Sequence, residues 1–329
     1  MRRVLVPLHV PDLAPLVPRA AQIISLDGET MGTTWSVKAA TAIADQHILQ
    51  MVENALALVI QQMSQWEPNS NISGFNRAAA DAWHDLPDEF LFVLAYALDL
   101  ARETDGAYDP TIGALSELWG FGSSGRREDV PDRSAIDTAR QHCGYRNLRL
   151  DHERQAALQP GGLQLDLSSI AKGFAVDLVS ETLLKRGVTN YLVEIGGELR
   201  GSGVKPDGSP WWVALEGGDG KPDGVIVALH GLSVATSGDV RRYIKDGERR
   251  LSHTLEPRTG WPVSDQLTSV TVFDRSCMKA DALATALTVL GSDEGYDFAV
   301  ARDIAARFII REATGLREQM TPAFAAMLD

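Results

Sequence analysis

The chain lacks an excess of basic residues and any long apolar run, and each absence excludes a class of protein. It carries 31 lysines and arginines against 44 aspartates and glutamates, a formal net charge of −13. Binding of nucleic acid requires a concentrated positive surface, so nucleic acid is not expected as a partner. No apolar stretch reaches the roughly 18 residues that cross a bilayer, so no transmembrane segment is predicted.

Cysteine is scarce as well. Cys143 and Cys277 lie far apart in the sequence and form no C-x-x-C pair. This spacing argues against a cysteine-based zinc site and against a disulfide framework. Two reduced thiols favour a reducing compartment, so the cytoplasm is the predicted location.

The first residues only partly resemble a signal peptide. Arg2 and Arg3 precede a short apolar stretch that Pro7, Pro11 and Asp12 interrupt, and no lipid-anchor cysteine follows. Residues 1–24 are therefore expected to be an uncleaved leader, disordered or loosely packed. A periplasmic location is the alternative, if an upstream signal or anchor is missing.

The remaining residues are sufficient for a large core. The chain has 329 residues, 44% of them hydrophobic, and these fit one large domain or two smaller ones. Helical spacing of apolar residues from Ile48 to Met63 predicts a helix. Further helices are predicted near 87–104, 131–143, 170–186, 279–290 and 293–305. Strands are predicted at 29–39 (with a turn at Met31-Gly32), 148–150, 163–167, 191–195, 211–216, 225–230, 269–273 and 307–310. Because helices and strands do not alternate strictly, the predicted class is α+β.

One predicted helix carries a possible metal-binding face. Asp281 and Thr285 are four residues apart, so on a helix they lie on one side, a turn apart. A carboxylate and a hydroxyl placed in this way can share a hard cation such as Mg²⁺. The alternative is structural: an Asp favoured by the helix dipole and a Thr bonded to its own helix.

A second segment, from Asp166 to Gly173, combines the end of a predicted strand with the start of a helix. Backbone N–H groups at a helix N-terminus suit a phosphate, and Lys172 adds a cation. The alternatives are an ordinary N-cap by Ser168 or Ser169 and a surface charge at Asp166.

Two loops complete the candidate site. Glycines and aromatic residues from Asp105 to Gly113 and from Leu118 to Gly122 can press against a flat ligand, although an Asp-Pro turn with core aromatics is the alternative. His253 titrates near neutrality and can accept a proton from an attacking hydroxyl. A histidine that is only hydrogen-bonded is the alternative.

Taken together and in this order, these segments resemble the ApbE family of flavin transferases. The similarity covers roughly residues 27–325 and rests on eight short motifs: Met31-Gly32-Thr33, Asp105 to Gly113, Leu118 to Gly122, Asp166 to Gly173, Glu194 to Gly197, Ala235 to Gly238, Ser252 to Gly260 and Ala280 to Ala286. The resemblance implies an α+β, T-fold-like architecture with mixed and antiparallel sheets and flanking helices. It also implies a single domain over residues 25–329, with an FAD cleft between two subdomains.

The resemblance assigns roles to individual residues. It implies that Asp281, Thr285 and Ser169, the last through its backbone carbonyl, bind Mg²⁺. It implies that His253 acts as a base or positions the acceptor, and that Lys172 and Asp281 take part in catalysis. The residues implied to contact FAD are Met31, Trp66, Ala107, Tyr108, Asp109, Asp166, Lys172 and Leu255.

The implied reaction moves FMN from FAD to a threonine or serine of a partner flavoprotein and releases AMP. FAD is the substrate and Mg²⁺ the cofactor. A Mg²⁺-dependent FAD pyrophosphatase, which uses water as the acceptor, and an FAD-binding protein without transfer are the alternatives. A redox flavoenzyme is disfavoured, because the resemblance treats FAD as a substrate.

Overall fold

Strands dominate the second half of the chain in the computed structural model, which describes residues 3–8, 17, 21–127, 129–218, 220–238, 243–246 and 249–328. The strands are β1 (Arg3–Leu5), β2 (Gln22–Thr30), β3 (Thr33–Thr41), β4 (Ala82–Asp85), β5 (Arg149–Asp151), β6 (Ala156–Gln159), β7 (Tyr191–Ile195), β8 (Glu198–Ser202), β9 (Trp211–Glu216), β10 (Pro222–Leu229), β11 (Leu232–Gly238), β12 (Tyr243–Asp246), β13 (Arg249–Ser252), β14 (Leu255–Glu256), β15 (Trp261–Pro262), β16 (Leu267–Asp274), β17 (Ala305–Glu312) and β18 (Gly315–Met320).

The helices are concentrated in the first half. They are α1 (Asp45–Met63), α2 (Asn71–Asn76), α3 (Asp88–Glu103), α4 (Gly113–Leu118), α5 (Arg133–Arg140), α6 (Ala171–Lys185), α7 (Cys277–Ala301) and α8 (Pro322–Ala325). Among the described residues, no helix is both long and apolar enough to span a bilayer.

One antiparallel sheet of eight strands, in the order β18-β17-β16-β11-β8-β7-β3-β2, forms the centre of the fold. Smaller sheets flank it, and one of them is mixed, because β1 pairs with β10 in parallel while β9 pairs antiparallel. The predicted α+β class with mixed and antiparallel sheets is confirmed.

Helices α1, α6 and α7 lie together against this sheet. The buried side chains of α1 recur every three or four residues, from Ile48 through Val52, Leu56 and Val59 to Met63, as the sequence predicted. Burying this stripe against α6 anchors the first half of the chain to the sheet. Helix α7 covers β11 and β16, so α6 and α7 run side by side above the sheet.

Gly173 lies at a close approach of α6 and α7. A methyl group added there would lie 2.4 Å from the carbonyl oxygen of Cys277 and 2.7 Å from Cβ of Asp281. Backbone cannot move aside as a flexible side chain can, so only glycine fits.

Gly173→Ala should therefore lower the free energy of unfolding by about 1–3 kcal/mol, the range for overpacked cores. Urea unfolding followed by circular dichroism measures it. Gly74→Ala is the matched control, because the added methyl group meets only the ring of His84, at 3.0 Å. If both variants unfold at the same urea concentration, the close helix contact is not important for stability.

The leader expected over residues 1–24 is partly structured, which corrects that prediction. Arg3–Leu5 pairs with β10, Leu5 is fully buried, and the Val6 N–H donates to the carbonyl of Met327 at 2.9 Å. Leu5 packs in the core with residues of β9 and β10, so this part of the expected leader is not a free tail. Residues 9–16 and 18–20, part of the same expected leader, lie outside the described residues.

The strand predicted over 163–167 is wrong. The N–H of Leu165 donates to Oδ1 of Asn76 at 2.8 Å, and the carbonyl of Leu165 accepts from Nδ2 of Asn76 at 3.0 Å. The N–H and carbonyl of Leu163 bond the side chain of Gln159. The strand pairing of residues 163–167 is limited to one isolated β-bridge, between Gln164 and Ile112. Side chains thus take the place of a neighbouring strand. The strand that does pair in this part of the chain is β6, which ends at Gln159 and pairs with β4 and β5.

The two helices predicted near 279–290 and 293–305 form α7, which Gly291 interrupts with a φ of 84°. This left-handed conformation suits glycine and breaks the helical hydrogen bonding at the predicted place. The second part ends at Ala301 rather than 305, because the chain must turn before β17 begins at Ala305.

Candidate functional site

One large cavity brings together all the site residues that the sequence predicted. Its volume is about 1660 Å³, above the roughly 300–1,000 Å³ of a typical ligand pocket. The predicted residues that line it are Met31, Trp66, Ala107, Tyr108, Asp109, Asp166, Ser169, Lys172, His253, Leu255, Asp281 and Thr285. They come from six separate stretches of the chain, which the fold brings together at one cavity.

The start of α6 differs from the simple cap that was one alternative. The helix begins at Ala171, and neither Ser168 nor Ser169 caps it. The N–H and hydroxyl of Ser168 instead donate to Oδ1 of Asp166, at 2.9 and 2.5 Å. Asp166 is buried, so it is not a surface charge. Its carboxylate holds the turn that leads the chain into the helix.

Three charged side chains meet beside this helix start. The Nζ atom of Lys172 lies 2.7 Å from Oε1 of Glu198 and 3.8 Å from Oδ2 of Asp281. The N–H of Gly173 donates to the same Oδ2 atom at 3.0 Å. Asp281 is the fifth residue of α7, and it reaches across to α6 rather than capping its own helix.

Burial and mutual charge determine the protonation of this cluster. Burial raises the pKa of Glu198 to about 7, an effect that Lys172 opposes and Asp281 strengthens. Burial also raises the pKa of Asp281, again against the effect of Lys172. For Lys172, burial alone would lower the pKa, but the two carboxylates outweigh it and raise the pKa. The lysine is therefore a permanent cation between two acids.

Three oxygens at the cavity have lone pairs that the protein does not use. Because the N–H of Gly173 donates to Asp281, the carbonyl of Ser169 receives no donor from the described residues. The hydroxyl of Thr285 is also unbonded to them, whereas that of Thr288 donates to its own helix at 2.8 Å. The structural alternative for Thr285, bonding to its own helix, is thus excluded. Oδ1 of Asp281 is the third oxygen.

The aromatic loop lies against the same helix start. The hydroxyl of Tyr108 is 3.1 Å from that of Ser169. Asp109 uses both carboxylate oxygens inside the protein, bonding Thr111 at 2.8 and 2.7 Å and the N–H of Tyr145 at 3.0 Å. The structure therefore supports the Asp-Pro turn for this carboxylate, and contact of Asp109 with FAD stays a prediction.

Two hydrophobic side chains, those of Met31 and Trp66, border the cavity. Met31 occupies the two-residue turn of the β2–β3 hairpin with a φ of 47°, in the left-handed region. Such a conformation is uncommon for methionine and is often found at functional sites. The side chain of Trp66 is 51% exposed at the cavity margin.

His253 also lines the cavity and is half-buried, with its ring 6.2 Å from that of Phe121, edge to face. Leu255 packs with Trp119, and the indole N–H of Trp119 donates to the carbonyl of Gly260 at 2.9 Å. These contacts hold the His253 segment against the glycine-rich loop.

Sequence reasoning missed Glu198, which lines the cavity and lies nearest to Lys172. It follows directly after Glu194-Ile195-Gly196-Gly197, a motif on which the resemblance partly rests. An acidic residue that starts a strand after a two-glycine turn was the available signal.

Comparison with known proteins identifies the family. The profile described as the ApbE family matches residues 31–308. The chain belongs to the ApbE family. An FAD:protein FMN transferase of Vibrio cholerae is 37% identical over 315 residues, which cover 94% of both chains. One of Haemophilus influenzae is 35% identical and covers 93% of this chain and 92% of its own.

A solved structure of an ApbE family member agrees. The apo form of the flavinyl transferase ApbE of Pseudomonas stutzeri superposes with a TM-score of 0.87 and is 40% identical. The match covers 93% of this chain and 97% of that one. As a member of the ApbE family with these relatives, the chain is a transferase of the flavin transfer class.

Proposed function

We propose that the protein is a Mg²⁺-dependent FAD:protein FMN transferase that attaches FMN to a threonine or serine of a partner flavoprotein and releases AMP. The main support is the meeting of Asp281, Thr285, Ser169 and Lys172 at one cavity wall, beside the predicted flavin contacts. A pyrophosphate between FMN and AMP needs both a hard cation and a fixed positive charge.

The oxygens at this wall fit Mg²⁺. They are a carboxylate oxygen of Asp281, the hydroxyl of Thr285 and the carbonyl of Ser169, all with unused lone pairs. Magnesium prefers oxygen ligands, and protein sites supply one or two carboxylates together with substrate phosphates. Within the described residues, no group of three or more His, Cys, Asp or Glu could hold a metal ion, so Asp281 would be the one carboxylate ligand and substrate phosphates would supply further oxygens. When bound, the cation would neutralise charge on the phosphate oxygens.

The protein's own groups account for the remaining chemistry. The hydroxyl oxygen of the acceptor attacks the phosphorus on the FMN side, forming one P–O bond as the bond to AMP breaks. Its proton passes to His253, which lines the cavity. Lys172, held beside the N-terminus of α6, stabilises the negative charge on the leaving phosphate. AMP then leaves with the electron pair of the broken bond.

Hydrolysis of FAD to FMN and AMP is the second candidate. The cavity exceeds the size of a typical ligand pocket, so water can reach the same phosphorus when no acceptor is present. Transferase and hydrolase differ in the acceptor alone. An FAD-binding protein without transfer has no use for a lysine placed between two buried carboxylates.

Mass spectrometry tests the proposal directly. The protein is incubated with FAD, Mg²⁺ and nine-residue peptides that carry a central threonine, serine or, as a control, valine. We expect threonine or serine peptides heavier by one FMN unit, together with AMP, and no change in the valine peptides. FMN and AMP without modified peptide would support the hydrolase. Intact FAD would contradict both reactions.

Thr285→Val should weaken Mg²⁺ binding because it replaces one ligand oxygen by a methyl group of equal size. We expect the half-saturating Mg²⁺ concentration for AMP release to rise about 10–100-fold, the effect of disturbing one group at a metal site. Thr288→Val, three residues further on, is the matched control, because its hydroxyl bonds its own helix. Equal Mg²⁺ dependence of the two variants would remove Thr285 from the metal site.

The compartment and the domain arrangement remain proposals. The scarcity of cysteine supports a cytoplasmic enzyme, and cell fractionation with an antibody to the protein would test this. A cleft between two subdomains stays a prediction of the resemblance.

A further inference from the structure

Glu198 has a feature that packing alone does not explain. Its side chain is buried, with 4% of the residue exposed. One carboxylate oxygen, Oε1, lies 2.7 Å from Nζ of Lys172, but the other, Oε2, has no hydrogen-bond partner. A buried carboxylate oxygen without a donor is costly, and in native proteins such groups often have a functional reason.

The backbone makes room for this pair. Glu198 starts β8 immediately after the turn at Gly196 and Gly197. A methyl group added at Gly196 would lie 3.3 Å from both Oε2 of Glu198 and Cδ of Lys172. The glycine therefore lets the hairpin bring its carboxylate against the lysine stem. A side chain at Gly196 would crowd both members of the pair.

The two carboxylates compete for one lysine. Lys172 lies 2.7 Å from Glu198 and 3.8 Å from Asp281, so Glu198 determines where the ammonium group rests. A free lysine side chain has many rotamers, and ordering one costs about 1.5–2 kcal/mol. Without Glu198, the ammonium group would move onto Asp281, the nearest remaining anion. The charge of Asp281 would then be neutralised, which would weaken its attraction for a metal cation.

We propose that Glu198 is a positioning residue for FMN transfer: it holds the ammonium group of Lys172 at the cavity wall and keeps it from neutralising Asp281. The proposal rests on the proposed function, because it assigns Asp281 to the metal and Lys172 to the leaving phosphate. Glu198 itself touches neither FAD nor the acceptor in this role.

Glu198→Gln tests this with an isosteric side chain that lacks the charge. We expect kcat for AMP release to fall at least about ten-fold, since small displacements of a catalytic group can reduce rates up to about 100-fold. The Mg²⁺ concentration for half-saturation should rise several-fold. The Kd of FAD without Mg²⁺, from flavin fluorescence, should stay equal or fall, because a negative charge has left the cavity. General loss of folding would weaken FAD binding instead.

Glu53→Gln is the matched control. Glu53 is exposed on α1 and does not line the cavity, so the variant removes an equal charge away from the lysine. We expect its kcat to stay within about two-fold of wild type, as for substitutions that leave the catalytic contacts intact. Glu198→Asp, one methylene shorter, keeps the charge but cannot reach Lys172 equally well. The Glu198→Asp variant should have a lower kcat, but the Kd of FAD should not fall.

The outcomes distinguish failure of the role of Glu198 from failure of the proposed function. A Glu198→Gln enzyme with unchanged kcat and Mg²⁺ dependence overturns the proposal, as does one that loses FAD affinity in proportion to activity. Should wild-type protein neither release AMP nor modify peptides, the proposed function fails. Calorimetric titration of Mg²⁺ into the FAD complex then decides the inference on its own: equal affinity in wild type and Glu198→Gln overturns it, and weaker affinity in the variant supports it.

Discussion

Asp281→Asn should reduce kcat for FMN transfer at least about 100-fold, the loss typical when a single contact to developing charge is removed. Asparagine keeps an oxygen that can accept the N–H of Gly173, which now lies 3.0 Å from the carboxylate. The contact between α6 and α7 is therefore retained while the charge is lost. A neutral oxygen binds Mg²⁺ far more weakly than a carboxylate.

The measurement is AMP release, followed by chromatography, at increasing Mg²⁺ concentrations. Partial recovery at high Mg²⁺ is expected, because the two remaining oxygens stay in place. Asp293→Asn on the same helix removes an equal charge from an exposed position and serves as the control. Full activity of the Asp281 variant at ordinary Mg²⁺ would place the metal elsewhere.

Lys172→Met should cost both stability and activity. It keeps the length of the side chain but leaves the carboxylates of Glu198 and Asp281 buried without a cation. Removing one partner of a buried ion pair lowers the free energy of unfolding by about 3–5 kcal/mol. FMN transfer should fall at least about 100-fold, because the leaving phosphate loses its fixed cation. Lys279→Met, at an exposed position of α7, is the control for loss of a positive charge.

The loss in free energy of unfolding of Lys172→Met relative to wild type should depend on pH, because Glu198 titrates differently in the two proteins. The pKa of Glu198 in the folded protein is raised to about 7, above its ordinary 4.5, and loss of Lys172 raises it further. A carboxyl group with a raised folded pKa favours the folded state below its unfolded pKa and loses that advantage as pH rises. The deficit should thus be smaller at pH 5.5 than at pH 8, in urea unfolding at both values. A constant deficit would show that the carboxylates do not carry it.

Periodicity predicted the elements that bury one face. The apolar stripe of α1 and the turn at Met31-Gly32 follow from spacing and turn chemistry, and both are confirmed. Spacing failed where side chains replace a neighbouring strand. The side-chain amide of Gln159 satisfies the backbone of Leu163, and that of Asn76 satisfies the backbone of Leu165. Nothing in the alternation of that segment shows that these amides will do so.

The candidate site was predictable as a set of residues, but not as an arrangement. Motifs identified the members of the cavity, since resemblance carries residue types and their order. They could not show that the N–H of Gly173 bonds Asp281 and so frees the carbonyl of Ser169. They also missed Glu198, whose contact with Lys172 depends on how a hairpin meets a helix 26 residues away in sequence. Contacts of this kind are set by packing between elements, which local patterns do not encode.

The short strand at Arg3–Leu5 lies next to the last described residues of the chain. Leu5 bridges Leu328, and Arg3 forms an ion pair with Glu318, so the first and last described segments lie side by side. Proteins with adjacent ends commonly tolerate circular permutation. Joining them by a short linker and opening the chain in the exposed turn at Asp207-Gly208 would move both ends to another surface of the same enzyme. An acceptor domain could then be fused either at the original ends or at the new ends near Asp207, and the two fusions would attach it to different surfaces of the enzyme.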